Sequence, residues 1–283
     1  MKDTFRCSFV IAVFLAQLCL CGFGSLPATA QKIKVLVVTG GHGFEHRPFY
    51  NVFNAQRNIT YDTLVQPKAN ALINSPEVNR YDVLVFYDMV DSIQPSVQQA
   101  YINLLKKGKA MIFLHHSLVS YQDWPEFVRI VGGQYHTHPV VVRADTLKAN
   151  YEHDVTLPVT VNDKRHPVTR GIRNFQIVDE RYGDCEILVS VKPLLSTTHP
   201  KSMRNLAWIH HYGNSDVIYI QLGHGPTAFN NANYRRLIQQ AIAWSAVHHG
   251  RATRWRLPQI AQIFAEGILS IAWSVVHHGH KAR

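Results

Sequence analysis

The sequence predicts an α/β fold in which helices cover both faces of a doubly wound, mostly parallel sheet. Three short apolar runs support this prediction: Ile33–Thr39, Tyr81–Tyr87 and Ala110–Leu114. Uniformly apolar, β-branched runs are typical of central parallel strands, because such strands are buried on both faces. Segments with apolar residues at helical spacing lie between these runs. This alternation of strand and helix is the pattern of a sheet that has helices on both sides.

The first half of the chain supplies its elements in the order that this fold requires. Strands are predicted at Ile33–Thr39, Thr60–Val65, Tyr81–Tyr87 and Ala110–Leu114, and helices at His46–Arg57, Pro95–Lys107 and Trp124–Val131. Pro95 suits the first turn of its helix, where a backbone N–H has no partner to lose. Gly108 and Gly132 follow the last helical residues and are expected to end those helices.

The middle of the chain changes character and is predicted to form a β-rich insertion. Its strands are expected at Val140–Arg143, Val155–Val161, Phe175–Val178 and Glu186–Val191. Two further strands, Leu206–Tyr212 and Asp216–Leu222, flank Gly213-Asn214-Ser215 and indicate a hairpin. A helix over Asn233–Val247 then completes a single domain that spans residues 31–250.

Both ends of the chain are predicted to lie outside this domain. Residues 1–30 combine a basic start, the apolar stretch Phe9–Leu20 and the small-residue site Ala28-Thr29-Ala30, as a cleaved signal peptide does. We therefore expect a periplasmic or secreted protein that begins near Gln31, with an uncleaved anchor as the alternative. Residues 251–283 are predicted as a helical extension in which 270–279 repeat 241–250 at all but two positions. Polar residues interrupt its apolar stretch, so membrane contact is not expected.

Charge and cysteine content exclude some functions. The formal net charge is +10, but the domain has no basic run with interleaved aromatic residues, so nucleic-acid binding is not expected. Three of the four cysteines lie in the first thirty residues. Cys185 is therefore the only cysteine of the mature chain, and no internal disulfide is expected.

Histidines recur at the ends of the predicted strands, and they are the candidate functional residues. His42, the pair His115 and His116, and His224 each follow a strand, while His136 lies in a glycine-rich turn. The carboxyl ends of parallel strands share one edge of a sheet, where ligands bind in open α/β folds. One shared site is therefore expected, although a capping or surface role explains any single histidine equally well.

The residue types allow both metal binding and acid–base chemistry. The candidate metal ligands are His115, His116, His136 and His224, which suit zinc, manganese or iron. The candidate catalytic groups are His115, His116, Glu180 and His224, since imidazole transfers protons near neutral pH with or without a metal. The candidate substrate-binding residues are His42, Asp88, Trp124 and Tyr182. Adjacent strand residues point to opposite faces, so only one of His115 and His116 is expected in the site unless the turn bends.

Taken together, the ordered motifs of residues 33–245 resemble the trehalose-utilisation (ThuA-like) family. The matching pieces are Gly40-Gly41-His42 with Phe44, Phe113-Leu114-His115-His116, Trp124-Pro125-Glu126-Phe127, Gly132-Gly133 with Tyr135-His136, His166-Pro167-Val168-Thr169 with Gly171-Ile172, Asp179-Glu180 with Tyr182, and Leu222-Gly223-His224. The resemblance implies the flavodoxin-like sheet of class I glutamine amidotransferases. It also implies a role in sugar catabolism that includes oxidised (3-keto) glycosides. Glutamine hydrolysis is not expected, because that chemistry needs a cysteine where His115 and His116 stand.

We therefore expect an exported carbohydrate-active enzyme, a hydrolase or lyase that acts on glycosides or 3-keto-glycosides. Its partner is expected to be a small carbohydrate, with a divalent metal as the candidate cofactor and no nucleotide cofactor. The alternative is a non-catalytic sugar-binding module that has kept the same cleft. The histidines favour the enzyme, because a binding module needs stacking aromatics and hydrogen-bonding groups rather than several imidazoles beside a carboxylate.

Overall fold

A nine-stranded sheet with helices on both faces makes up the computed structural model, which describes residues 31–248. The predicted signal peptide (residues 1–30) and the predicted helical extension (residues 251–283) lie outside the described residues. Within residues 31–248, no helix is both long and apolar enough to span a membrane.

The strands follow one another along the chain with short helices between the early ones. They are β1 (Ile33–Gly40), β2 (Ile59–Val65), β3 (Val83–Asp88), β4 (Ala110–Leu114), β5 (Gly133–Gln134), β6 (Val140–Val142), β7 (Asp145–Leu147), β8 (Asn150–Val161), β9 (Phe175–Gly183), β10 (Glu186–Ile187), β11 (Lys192–Thr197), β12 (Asn205–Tyr212) and β13 (Ser215–Ile220). The α-helices are α1 (His46–Asn54), α2 (Lys68–Ile73), α3 (Pro95–Lys106), α4 (Pro125–Val131), α5 (Pro226–Phe229) and α6 (Ala232–His248). Two 3-10 helices cover Pro76–Arg80 and His115–Val119.

The first half of the large sheet is parallel and confirms the predicted doubly wound fold. Its strand order is β2-β1-β3-β4-β13, and every neighbouring pair in this series is parallel. Alternate residues of β1 face two separate cores: Val35 and Val37 pack on one side, Leu36 and Val38 on the other. Helices α1, α5 and α6 supply the first core, and helices α2, α3 and α4 supply the second. The strands are buried on both faces for this reason, which explains their uniformly apolar sequences.

The β-rich middle of the chain extends the same sheet rather than forming a separate insertion. Strands β12, β11, β8 and β9 continue the sheet beyond β13, each antiparallel to its neighbour. The sheet is therefore parallel in one half and antiparallel in the other, where the sequence predicted a mostly parallel arrangement. The predicted strand Glu186–Val191 is reduced to β10, which pairs with β5. Strand β11 was not predicted.

The antiparallel half reaches the carboxyl edge of the parallel half through the end of β9. In the strand order β9 lies four places from β13. The carboxylate of Asp179 in β9 nevertheless accepts a hydrogen bond from the backbone N–H of Gly223, just after β13, at 2.7 Å. The paired strands β8 and β9 therefore bend across the carboxyl edge, where β4 and β13 also end.

Candidate metal centre and cleft

The turn after β4 brings two adjacent imidazoles into one site. His115 starts the 3-10 helix His115–Val119 with a φ of 41°, in the left-handed region that non-glycine residues seldom occupy. This bend ends the strand alternation, and the rings of His115 and His116 lie 4.6 Å apart between centroids. The condition attached to the sequence prediction is therefore met: the turn bends, and both histidines reach the site.

Four side chains converge at this point. The potential ligand atoms of His115, His116, Glu180 and His224 all lie within 4.8 Å of one another. Glu180 Oε2 lies 2.7 Å from His115 Nε2 and 3.2 Å from His224 Nδ1. The ring centroid of His224 is 5.2 Å from that of His115 and 5.3 Å from that of His116. The carboxyl-edge argument thus predicted the proximity correctly, and the group has the donor types and spacing to hold a metal ion.

The backbone fixes the tautomer of His115. Its Nδ1 donates to the carbonyl oxygen of Gln221, because a carbonyl can only accept a hydrogen bond. In the neutral ring Nε2 then carries a lone pair, and this lone pair faces the Glu180 carboxylate. Two electron-rich atoms at that separation need a cation between or beside them, either a proton or a metal. An imidazole held by a backbone carbonyl through its other nitrogen is a common arrangement in metal sites.

His116 is the least satisfied polar side chain of the group. It is 3% exposed, and neither ring nitrogen has a hydrogen-bond partner among the described residues. Burial lowers the pKa of His116 well below its usual value, and the nearby imidazoles of His115 and His42 lower it further. The ring of His42 lies 4.0 Å from that of His116. His116 is therefore neutral at physiological pH, with a lone pair available to a ligand in the site.

Glu180 and His224 stabilise each other's charged form. Burial disfavours the charge on Glu180, but hydrogen bonds from the protonated form of His115 and from His224 outweigh burial and hold its pKa well below the usual range. The hydrogen bond to Glu180 raises the pKa of His224, although partial burial opposes this effect. Glu180 is therefore an anion at neutral pH, which is the form that a metal ion requires.

A second layer of hydrogen bonds holds the loop that carries His224. Asp179 accepts from the backbone N–H of Gly223 at 2.7 Å and from that of His224 at 2.9 Å. The Tyr87 hydroxyl lies 3.0 Å from the Gly223 carbonyl oxygen, to which it donates. Asp179 and Glu180 point in different directions, as strand alternation predicts: Asp179 fixes the backbone of the loop and Glu180 meets its imidazole.

Two members of the group, His116 and Glu180, line a cleft of about 290 Å³. Its lining residues are His42, Met89, His116, Val119, Tyr135, Thr137, Tyr151, His153, Glu180 and Tyr182. His42 and Tyr182 thus lie where the sequence placed them, and their substrate-binding role remains a prediction. His153 was not predicted, yet its Nδ1 lies 3.3 Å from Glu180 Oε1.

Three residues that the sequence proposed for the site lie elsewhere. His136 Nε2 pairs with Glu186 Oε2 at 2.7 Å and is not a member of the four-residue group. Asp88 is buried and accepts from the side chains of Gln66, Ser117 and Tyr121. Trp124 packs among Tyr101, Tyr121 and Phe127. The sequence argument considered only how close each residue lies to a strand end, and this does not show which other side chains the residue contacts in the fold.

The single described cysteine is unsuited to nucleophilic chemistry. Cys185 is held in the partly buried wall of a different cleft, together with Arg181 and Met203. Burial and then the charge of Asp184 raise the pKa of its thiol. The residue is therefore a thiol at neutral pH, whereas nucleophilic attack needs a thiolate. That the chain does not hydrolyse glutamine stays a prediction.

Comparison with known proteins relates this architecture to solved structures. A ThuA-like protein from Parabacteroides merdae matches with a TM-score of 0.67 and 16% identity, over 79% of this chain and 93% of that one. A ThuA-like protein from Bacteroides uniformis matches with a TM-score of 0.59 and 18% identity, over 79% and 95%. The β-galactosidase from Rahnella sp. R3 matches with a TM-score of 0.50 and 10% identity, over 74% of this chain and 31% of that one.

At these identities the structural matches show a shared fold and no more. Comparison with curated proteins gives no significant match. The family profile described as ThuA, trehalose utilisation, matches residues 34–245, which include all of the large sheet except the first residue of β1, and all four residues of the candidate metal group. The chain therefore belongs to the ThuA (trehalose utilisation) family.

Proposed function

We propose that this protein is an exported, metal-dependent enzyme that acts on a glycoside or a 3-keto-glycoside by hydrolysis or elimination. The metal would be held by the metal group, defined as His115, His116, Glu180 and His224. One observation carries the proposal: both ring nitrogens of the buried His116 lack a partner among the described residues, beside a carboxylate and two further imidazoles. Buried polar atoms are nearly always paired, so an unpaired imidazole in such a group favours an unseen ligand.

The donor set fits a divalent cation. Imidazole and carboxylate are the ligand types of catalytic zinc sites, in which three protein ligands leave a fourth position open, and manganese or iron accept the same residue types. The neutral His116, the anionic Glu180 and the carbonyl-fixed His115 are each in the form that a metal needs. When bound, such an ion supplies Lewis-acid polarisation of a substrate oxygen.

The carbohydrate part of the proposal rests on the family and on the cleft. The family is described by trehalose utilisation, which is a sugar function. A 3-keto sugar has an acidified C–H next to its carbonyl, so its cleavage needs a base for that proton and an acid for the departing oxygen. We assign one proton-transfer role to His42, which lines the cleft outside the metal group. Imidazole suits that role near neutral pH.

A metal titration tests the first part of the proposal. We expect the purified protein, freed of metal by chelation, to bind one Zn²⁺, Mn²⁺ or Fe²⁺ ion per chain in calorimetry. Replacement of a ligand should weaken binding by at least about tenfold, as loss of supporting groups already does in metal sites. His116→Ala tests the buried ligand. His224→Ala tests a partly exposed one, whose loss endangers folding less.

His136→Ala is the matched control, because His136 is bound to Glu186 outside the metal group. This variant should bind the ion as tightly as the wild type. If the wild-type protein takes up none of the three ions, or if both ligand variants bind as well as the control does, the metal site is wrong.

Turnover by the metal-loaded protein tests the second part. Matched 4-nitrophenyl glucosides, with and without oxidation at carbon 3, distinguish a 3-keto-glycosidase from an ordinary glycosidase. The second candidate is a binding module, which the exposed aromatic ring of Tyr151 in the cleft favours. Saturable sugar binding without turnover of either substrate would support the module and contradict the enzyme.

A further inference from the structure

The paired strands β8 and β9 present two chemically different faces. Tyr151, His153, Glu180 and Tyr182 all line the cleft. On the other face Arg181 donates from Nε and Nη2 to Glu152 Oε2, at 3.3 and 3.0 Å. The ion pair holds the two strands together from behind, so the cleft-lining side chains have a fixed support.

A β-bulge lies beside His153, which strand alternation places on the same face as Tyr151. Glu152 is paired with Arg181 and Val155 with Asp179, so His153 and Asp154 together oppose the single residue Glu180. Asp154 has a φ of 55°, in the left-handed region. Bulges redirect side chains and are frequent beside active sites. Here the bulge lies directly opposite Glu180, and His153 Nδ1 lies 3.3 Å from Glu180 Oε1.

Tyr151 adds an exposed aromatic ring to the mouth of the cleft. It is 58% exposed, whereas its ladder partner Tyr182 is buried below it. The ring of Tyr151 stands 5.3 Å from that of His153 at an interplanar angle of 69°. A half-exposed imidazole and an exposed phenol ring therefore lie side by side above the metal group.

We propose that Tyr151 and His153 form a pyranose-binding subsite at the mouth of the cleft. The apolar C–H face of one sugar ring would stack on Tyr151, and His153 would hydrogen-bond a ring hydroxyl. This inference rests on the proposed carbohydrate function and deepens it. Tyrosine combines an apolar ring with a polar end, which suits the equally amphipathic face of a sugar. The cleft, about 290 Å³, is of a size to hold one sugar ring.

Direct binding of two probes tests the subsite: methyl β-D-glucopyranoside and its 3-keto derivative, added to the metal-loaded full chain. We expect Tyr151→Ala to raise the Kd of the better probe about tenfold, which corresponds to about 1.4 kcal/mol. Tyr151→Phe keeps the ring and should stay within about twofold, since stacking supplies most of the contact. His153→Ala should weaken binding about fivefold through the lost hydrogen bond.

Val189→Ala is the control, because Val189 is exposed and does not line the cleft. The two Tyr151 variants and Val189→Ala should keep the wild-type metal content, since none changes a residue of the metal group or a partner of one. His153→Ala is measured at saturating metal, because His153 Nδ1 lies 3.3 Å from Glu180 Oε1. Wild-type affinity in both Tyr151→Ala and His153→Ala would overturn the subsite while leaving the proposed function in place. A wild-type protein that holds metal but binds neither probe would instead contradict the carbohydrate function, and the subsite with it.

Discussion

At the scale of single residues, the backbone of His115 determines what the turn after β4 can do. Its left-handed φ allows its own ring and that of His116 to enter the same site. The Tyr219 hydroxyl donates to the His115 carbonyl oxygen at 3.1 Å and holds the bend in place. Glycine would adopt this angle at no cost but would remove an imidazole from the metal group. The strain of a non-glycine residue is thus retained where the side chain is needed.

Asp88 illustrates a buried carboxyl group whose role is structural. Its carboxylate accepts hydrogen bonds from Gln66, Ser117 and Tyr121 beneath the site. Burial nevertheless dominates and raises the pKa of Asp88 to about 6. A carboxyl group with a higher pKa in the folded than in the unfolded chain keeps its proton better when folded. Its contribution to stability is therefore largest below about pH 4 and declines as the pH rises from about 4 to 6.

Asp88→Asn should remove this decline, because the amide does not ionise. We expect the variant's free energy of unfolding, relative to the wild type, to improve by roughly 2 kcal/mol between pH 4.5 and pH 7.5. Urea unfolding at the two pH values measures this difference. Asp91→Asn, at an exposed position in the loop after β3, is the control and should show no such trend. A relative stability of Asp88→Asn that does not change with pH would mean that Asp88 is not the titrating group.

At the scale of elements, the end of β9 connects the two halves of the site. Asp179 binds the backbone of the loop after β13, and Glu180 binds the imidazole that this loop carries. Strand β9 therefore holds the loop after β13 in position and also supplies the carboxylate that pairs with His224. Removing the hydrogen bonds from the loop backbone to Asp179 should disturb the contact between Glu180 and His224, because a metal ligand is only as well placed as the groups that hold it.

Asp179→Asn should accordingly weaken metal binding by about tenfold, although it substitutes no residue of the metal group. The amide keeps only one acceptor oxygen for the two backbone N–H groups of Gly223 and His224. Asp163→Asn is a matched control, because Asp163 also accepts from two backbone N–H groups, but in an exposed turn. Equal metal affinity in the two variants, measured by calorimetry, would show that the loop does not depend on Asp179.

The elements also show what could be predicted from the sequence. Buried parallel strands such as β4 were predicted with their bounds, because burial on both faces leaves a uniformly apolar run. Strand β11 was missed, because Lys192 and Pro193 at its start are untypical of a buried strand, although its last four residues are buried. His153 was missed because the strand was predicted to begin at Val155, whereas β8 begins at Asn150 and includes His153. His136 was assigned to the metal site because its true partner, Glu186, is fifty residues away along the chain.

At the scale of the whole molecule, the metal group lies where the parallel and antiparallel halves of the sheet meet. The parallel half contributes His115, His116 and His224, and the antiparallel half contributes Glu180. Helix α6 closes one face of the parallel half by packing against β4 and β13. The described residues therefore contain both cores and the complete metal group, and the family match ends within α6, at residue 245.

Truncation after Gly250 should consequently leave a stable domain with unchanged metal binding. We expect its melting temperature to stay within about 3 °C of that of the longer chain, which is less than roughly 1 kcal/mol for a domain of this size. Truncation after Arg236 is the contrasting variant, because it removes buried residues of α6 such as Leu237 and Ile242 and should prevent folding. Calorimetric melting of both proteins, each with and without the bound ion, makes the comparison. If the protein truncated after Gly250 is insoluble or does not bind the ion, residues 251–283 are needed for the folded domain.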